Sequence, residues 1–481
     1  MRSSFDSFAA YRIHAVRFTQ PDRETLMPPS PTDAHAAPPP RLRIAVVGSG
    51  VSGLSAAWLL SKHHEVTLYE AEDRLGGHAH TVGVPGPDGN VAVDTGFIVF
   101  NEPNYPNFTA LLDYLDVPSK AAHMSFAVSM DAGGFEYSSH GLKGLFAQKR
   151  NLASPRFWAM LRDLKRFHRT AAAHLPALDE SMCSLGDYLD REGYGDGFRD
   201  RHLLPQAAAI WSSSSRQMED YPAAAFIRFY RNHRLLEVDL APNWRTVDGG
   251  SRAYVAALAQ DFDGRTILDA GVTRIERGPR QTVVHTAARA PATYDAVVLA
   301  THSDQALALL DQPTAEERRL LGAVAYSRNR VVLHRDAKLM PRRRSAWAAW
   351  NYVGGTGGGA AGALPGVTYW MNLLQGLPGD NLFVTLNPDV EPDPATILLD
   401  QEFDHPVFNA AALAAQSELW SLQGVERTWF CGAWFGSGFH EDGLQAGLAV
   451  AEAIGGVRRP WSVADESGRI VMTPAREPAP A

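Results

Sequence analysis

Short apolar runs and longer amphipathic stretches alternate along this chain. Residues 44–47 (Ile-Ala-Val-Val) carry no polar position, the pattern of a strand buried on both faces. A helical pattern through Leu54, Trp58 and Leu59 follows, and then a second apolar run over 66–69 that ends in Glu70. Residues 43–70 therefore predict a β-α-β unit. Residues 90–108 read as strand and turn, with a helix start over 105–115. Apolar positions recur at helical spacing at Phe157, Leu161, Leu164 and Phe167 or His168. The pattern stays mostly helical over 184–229, punctuated by Gly193, Gly195 and Pro205. Strand-like runs return at 272–275, at 296–300, within 331–370 and at 429–433. The last leads into a helix through Leu444, Leu448 and Ala451.

The turn inside the first unit carries candidate chemistry. Gly48, Gly50 and Gly53 stand at G-x-G-x-x-G spacing between strand and helix. Gly48 allows the tight turn. Gly50 lets the backbone approach a pyrophosphate seated on the helix start at Val51 and Ser52, and Gly53 lets that helix pack on the strand. Glu70 is placed to accept hydrogen bonds from a ribose 2′-OH, and its charge disfavours a 2′-phosphate. A glycine turn without a nucleotide also fits the triplet alone, but the ordered series strand, turn, helix, strand and acid points to a dinucleotide.

The run continues Ala71 to Thr81 with Arg74, Gly76, Gly77 and His78. It resembles the extended FAD fingerprint E-x-x-x-R-x-G-G-R-x-x-T/S of the flavin amine oxidase and phytoene desaturase superfamily. Glu70, Arg74, Gly76, Gly77 and Thr81 match, while His78 stands where many members carry arginine. The resemblance implies FAD, and His78 leaves the local electrostatics open. Asp94, Thr95 and Gly96 resemble the D-x-G element that runs close to the flavin; a turn aspartate bonded to its own backbone is the alternative for Asp94. Gly249-Gly250 resembles the P-x-G-G-M element, without its proline and with Arg252 at the methionine position. Val272 resembles the valine whose backbone meets the adenine. In the closing stretch, Gly432 ends a strand, and Asp442, Gly443 and Leu444 open a helix whose N-terminus the superfamily lays against the flavin. N–H groups there can stabilise negative charge. Trp434, Phe435 and Phe439 are implied as aromatics around the ring. His440, Glu441 and Trp434 are the catalytic candidates, with cap or loop duty as the alternative for His440 and Glu441.

The resemblance covers most of 42–457 and implies an α/β fold. A Rossmann-like FAD-binding domain of the glutathione-reductase type is interleaved with an α+β substrate domain. The FAD-binding parts are expected over 41–140, 241–302 and 426–460. A mainly helical substrate cap is expected over 141–240, a mixed-sheet substrate domain over 303–425, and a flexible tail over 461–481. GGHAHT with VDTGFIVFN, AWAAWNY and GSGFHEDG is similar to a bacterial subgroup of predicted NAD/FAD-binding oxidoreductases. That subgroup includes desaturases of methylated, furan-type fatty acids, which accompany cyclopropane-synthase-like methyltransferases. An acyl-lipid substrate, hydride removal to form a C=C bond, and such a methyltransferase as pathway partner are thereby implied. A flavin amine oxidase is the first alternative; a redox-neutral flavin isomerase or a lipid-binding partner protein is the second. Some amine-oxidising relatives place a lysine at the flavin, and Lys338 is the one lysine of the substrate half.

Composition narrows the classes. The 481 residues, 45% hydrophobic and 20% charged, can hold two or three compact units. A net charge of -8 argues against a general nucleic-acid binder. Cys183 and Cys431 cannot make a disulfide framework, which fits a reducing, cytoplasmic compartment. Residues 1–40 lack an apolar h-region and read as a disordered extension, with Met27 as an alternative start. No apolar stretch is long enough to span a bilayer. No Ser-His-Asp order, CxxC or HExxH motif occurs, and no metal site is expected.

Three stretches stay open. Residues 142–175 carry Lys143, Lys149, Arg150, Arg156, Arg162, Lys165, Arg166 and Arg169 against Asp163 alone. They fit a helix lying on the inner face of an anionic membrane over 143–169, or one that packs its apolar stripe and solvates its charges. Trp211 with Ser212 to Ser215 fits a substrate tunnel or a capped helix end. Trp347, Trp350, Tyr352, Tyr369 and Trp370 fit a tunnel lining or ordinary core, and His302 reads as a loop histidine.

Overall fold

The computed structural model describes residues 40–472 except 87–88, 182, 212, 237–242 and 355–365, with backbone alone at 179–181. The predicted extension, most of the glycine-rich loop after Gly354, and residues 473–481 lie outside the described residues. Five parallel strands form the first sheet, in the order Arg265–Ile267, Glu65–Tyr69, Arg43–Val47, Ala296–Leu299, Thr428–Phe430. The apolar run 44–47 occupies its centre, as a strand without polar positions must. The predicted helix is Val51–Ser61, and every one of its side chains is buried. It lies between the sheet and the closing helix His440–Ile454. Ser52 meets Gly443 and Gly447 there, at distances only glycine permits.

The second sheet has seven strands, in the order Ile397–Val407, Ala325–His334, Phe383–Leu386, Val367–Trp370, Trp350–Val353, Phe126–Met130, Phe135–Ser138. Its last two strands correct the predicted boundary, because residues 126–138 were assigned to the FAD-binding part. The burial of Phe126, Ala127 and Val128 is the physical reason. The backbone groups along both edges of Phe126–Met130 also need partners, and they find them in Trp350–Val353 and Phe135–Ser138. Tyr369 and Tyr352 belong to this sheet. Trp347 packs with Met340, Phe383 and Trp370 in a small separate core, so the core reading of that tryptophan holds.

The helical segment is helical as expected, with helices such as Pro155–Thr170, Leu185–Arg191 and Ala223–Asn232. Pro155–Thr170 starts with the Ser154 hydroxyl accepting from Phe157 N and with proline at its first position. Its inward stripe is Phe157, Met160, Asp163 and Phe167, while Leu161 and Leu164 are half-buried at its margin.

Residues 461–472 are not a flexible tail. Trp461 stacks on Trp58 at 5.9 Å, Arg469 pairs with Asp442, and Ile470 is buried. The segment is a strap held by Trp461, Arg469 and Ile470, while Val471 and Met472 are exposed. Among the described residues, no helix is long and apolar enough to cross a membrane.

Candidate functional site

The site is built around the first turn. Gly48 adopts φ +97° and donates to Tyr69 O at 2.9 Å. A Cβ on Gly53 would fall 1.9 Å from Gly48 O and 2.8 Å from the Ala300 Cβ, so the helix can approach the strand only as glycine. A Cβ on Gly50 would meet nothing within 4 Å: the turn faces open space at the start of Val51–Ser61, where the first N–H groups lack intrahelical acceptors. Gly77 closes that space on one side, packed against the Gly50 Cα.

Glu70 braces the turn. Its Oε2 accepts from Ser49 N (2.8 Å) and Ser49 Oγ (2.5 Å), and its Oε1 accepts from Glu72 N (3.0 Å). Ser49 in turn receives Gly76 N–H on its carbonyl and hydroxyl oxygens. Arg74 donates to Gly77 O at 2.9 Å and pairs with Glu72. Ala270 N donates to Glu70 O, and Gly271 lies against Ala71, which brings Val272 beside residues 70–72. Sequence positions some 200 apart thus converge on one edge of the open space.

Thr81 and Asp94 do something else. Asp94 is buried, and its Oδ1 accepts from Thr81 Oγ1, Ser251 N and Ser251 Oγ, while Oδ2 accepts from Gln375 Nε2. Thr81 Oγ1 also receives Arg252 N–H. Together they cap the helix Arg252–Gln260 from another segment. Asp94 is therefore bonded to remote segments and not to its own turn, and burial pushes its carboxyl up to about 6. Thr95 Oγ1 bonds His80 and Gln401. Gly96 is required by its neighbour, since a Cβ there would lie 2.1 Å from His78 O.

In the closing stretch each of the three catalytic candidates has a structural partner. Trp434 is buried, its indole donating to Thr301 O at 3.1 Å, and Gly432 is glycine to admit that ring. His440 bonds the Tyr254 hydroxyl at 2.7 Å and stacks on Phe97 at 3.8 Å; desolvation lowers it to about 3. Glu441 is fully buried and accepts from Asn107 N, Asn107 Nδ2, Phe108 N and Gln445 Nε2. Its work is to cap the helix Pro106–Tyr114 from the closing helix. Asp442 accepts from Ser437 N and Phe439 N and holds the loop that precedes its own helix. Leu444 is buried on the same helix.

Sequence reading missed a histidine-rich wall. The His78 ring stacks on Phe403 at 4.6 Å and stands 5.6 Å from His405 and 5.9 Å from His302, and His78 Nε2 has no hydrogen-bond partner among the described residues. Burial lowers all three imidazoles, His405 to about 4, so they are neutral near pH 7. Just beyond His405 opens a cavity of about 250 Å³ lined by Trp211, Ser213, Met218, Tyr221, Pro406 and Phe408, with exposed Asp220 at its rim. Trp211 Nε1 finds no partner there among the described residues. Phe229 stacks between Trp211 (4.5 Å) and Phe439 (5.0 Å), joining the cavity wall to the closing loop. Ser214 caps Ser215–Glu219, so that cap reading of the serines also holds. Lys338 is exposed and paired with Asp336. The missed signal was positional: no recognisable motif surrounds Phe403 and His405, and strand Ile397–Val407 carries them to His78.

A family model described as flavin containing amine oxidoreductase matches residues 51–333. The chain belongs to that family. Its cofactor is FAD. The chain is 28% identical over 254 residues to a Mycobacterium tuberculosis protein named "Putative flavin-containing monoamine oxidase AofH", a match covering 51% of this chain and 54% of that one. The chain thus spans about half the length of that relative. Among solved structures, the fold is similar to a CLA-producing fatty acid isomerase from P. acnes (TM-score 0.60, 16% identity, 86% and 98% of the two chains). It is similar also to putrescine oxidase bound to putrescine (TM-score 0.62, 15% identity, 86% and 99%). The open face of Gly50, the unpartnered His78 Nε2 and the glycine-lined turns fit a flavin dinucleotide. Glu70 and the edge at Val272 would hold the ribose and adenine, and the start of Val51–Ser61 the pyrophosphate.

Proposed function

We propose that this protein is an FAD-dependent oxidoreductase that takes a hydride from an apolar, acyl-lipid substrate and forms a C=C bond. The observation that carries the reading is the cavity of Trp211, Met218, Tyr221 and Phe408, an apolar wall continuous with the closing loop through Phe229 and Phe439. FAD, when bound, supplies the acceptor for the hydride and its electron pair. The chain's own residues position the acyl chain, exclude water and hold the proton. Two C–H bonds break on adjacent carbons: one hydrogen leaves as hydride, the other as a proton. Neutral His78 or His405 is suited to take that proton, because burial keeps both uncharged at neutral pH and His405 directly precedes Pro406 of the cavity lining. Trp211 Nε1 is placed to donate to an oxygen of the substrate's head.

Amine oxidation is the second reading. Asp220 at the cavity rim suits an ammonium group, and the relatives named for amine substrates support it. The deciding experiment is an anaerobic titration of the flavin absorbance, first with methylated unsaturated phospholipids and then with amines. Bleaching by lipid with appearance of a new double bond supports the desaturase reading. Bleaching by amines alone overturns it in favour of amine oxidation, and lipid rearranged without flavin reduction overturns it in favour of isomerisation.

A further inference from the structure

The basic segment separates into two sets of cations. Arg166 is spent inside the protein: it donates to Glu192 O (2.7 Å) and Gly193 O (3.1 Å) and covers the Tyr194 ring at 3.9 Å. Arg162, Lys165 and Arg169 are exposed. With Trp158 they recur at i, i+4, i+7 and i+11 along Pro155–Thr170, one stripe opposite the buried Phe157, Met160 and Phe167. At the N-terminal end of that stripe the surface turns apolar. Trp158 is 47% exposed and donates its indole N–H to Leu152 O at 2.9 Å; Leu152 is 53% exposed. The Phe146 ring lies 5.8 Å from Trp158, and one turn earlier Leu142 is 64% exposed. Lys143, Lys149, Arg150 and Arg156 are exposed around them. The one acid of residues 141–170, Asp163, is buried, accepts from Gly195 N and stands 3.6 Å from Arg166 and 3.9 Å from Arg162, so of the stripe's cations it pairs with Arg162 alone among the described residues.

We propose that this face seats the protein on an anionic lipid bilayer. Trp158, Leu152 and Leu142 enter the headgroup region while Arg162, Lys165 and Arg169 meet the lipid phosphates. Charge complementarity selects an anionic surface in a chain whose overall charge is -8. The two exposed leucines and the indole select a bilayer over a soluble polyanion, because a polyanion has nothing apolar to receive them. The inference does not depend on which substrate the flavin oxidises.

The test is flotation of the FAD-loaded full chain with phosphatidylcholine vesicles, with and without about 30% phosphatidylglycerol, in about 0.1 M salt. The protein floats with the anionic vesicles and not with the neutral ones. R162E/K165E/R169E and, separately, L152S/W158S each lower the bound fraction at least about tenfold, with flavin absorbance and circular dichroism unchanged. Absence of wild-type flotation on anionic vesicles overturns the proposal. So does flotation that the charge-reversal variant retains, or loss in that variant alone with L152S/W158S binding like wild type, which would mark a site for a soluble polyanion.

Discussion

At the scale of single residues, several carboxylates that a flavin fingerprint singles out serve as caps for remote helices. Glu441 accepts four hydrogen bonds while fully buried, and a glutamine there would turn an N–H₂ toward N–H donors of Asn107 or Phe108. E441Q should therefore cost about 2–4 kcal/mol in urea unfolding while leaving the rate of flavin reduction per folded flavin within about twofold. A catalytic acid or base would show the opposite pattern. Asp94 gives a pH signature. Its folded pKa, about 6, lies above the ordinary 3.8, so its contribution to stability is fully present below about 4 and is lost as pH rises through 6. Thermal or urea titrations at pH 4 and pH 7 should show the stability gap between D94N and wild type moving by about 3 kcal/mol in favour of D94N.

At the scale of elements, the decisive contact is between Val51–Ser61 and His440–Ile454. A Cβ on Gly447 would lie 2.2 Å from Ser52 O, and one on Gly443 would lie 2.8 Å from Ser52 Oγ. The two helices reach their spacing through glycines packed on Ser52, next to the helix start. G447A should destabilise the protein by about 1–3 kcal/mol and lower the flavin retained on purification, since the helix start that faces the pyrophosphate must shift. Flavin-to-protein absorbance ratio and unfolding midpoint, measured together, check it. A variant that keeps full flavin and wild-type stability would show that the helices have slack.

At the scale of the whole molecule, the strap 461–472 ties the end of the described chain back to its beginning. Trp461 stacks on Trp58 and donates to Asn107 Oδ1, which also receives Arg459. Arg469 meets Asp442 and Asn104 O. Removing residues 461–481 leaves Asp442 buried without its cation. R469A alone should cost about 3–5 kcal/mol, and the truncation more, read as a lower unfolding midpoint and faster loss of flavin on dilution. Gln375, just after the helix Met371–Leu374, shows a similar long reach in bonding Asp94 and Thr246.

The resemblance of residues 70–81 to a flavin fingerprint implied FAD, and the sequence by itself determined the glycine turn and the alternation of helical and strand blocks. These follow from local rules: unbroken apolar runs make central strands, and glycine at fixed offsets marks where backbones must approach. Only the tertiary structure decided which polar side chains are free for chemistry. His440, Glu441 and Trp434 carry the right groups within a matching motif, yet each is consumed by a partner far away in sequence: Tyr254, Asn107 and Thr301. Conversely His405 and Phe408 reach the site only because a strand nearly 330 residues beyond His78 crosses it. Whether strand 126–130 joins the first or second sheet, and whether Arg469 is tail or strap, was equally beyond local pattern. A hydrogen bond or a buried charge is satisfied by whatever the fold brings within about 3 Å, and sequence distance carries no record of that.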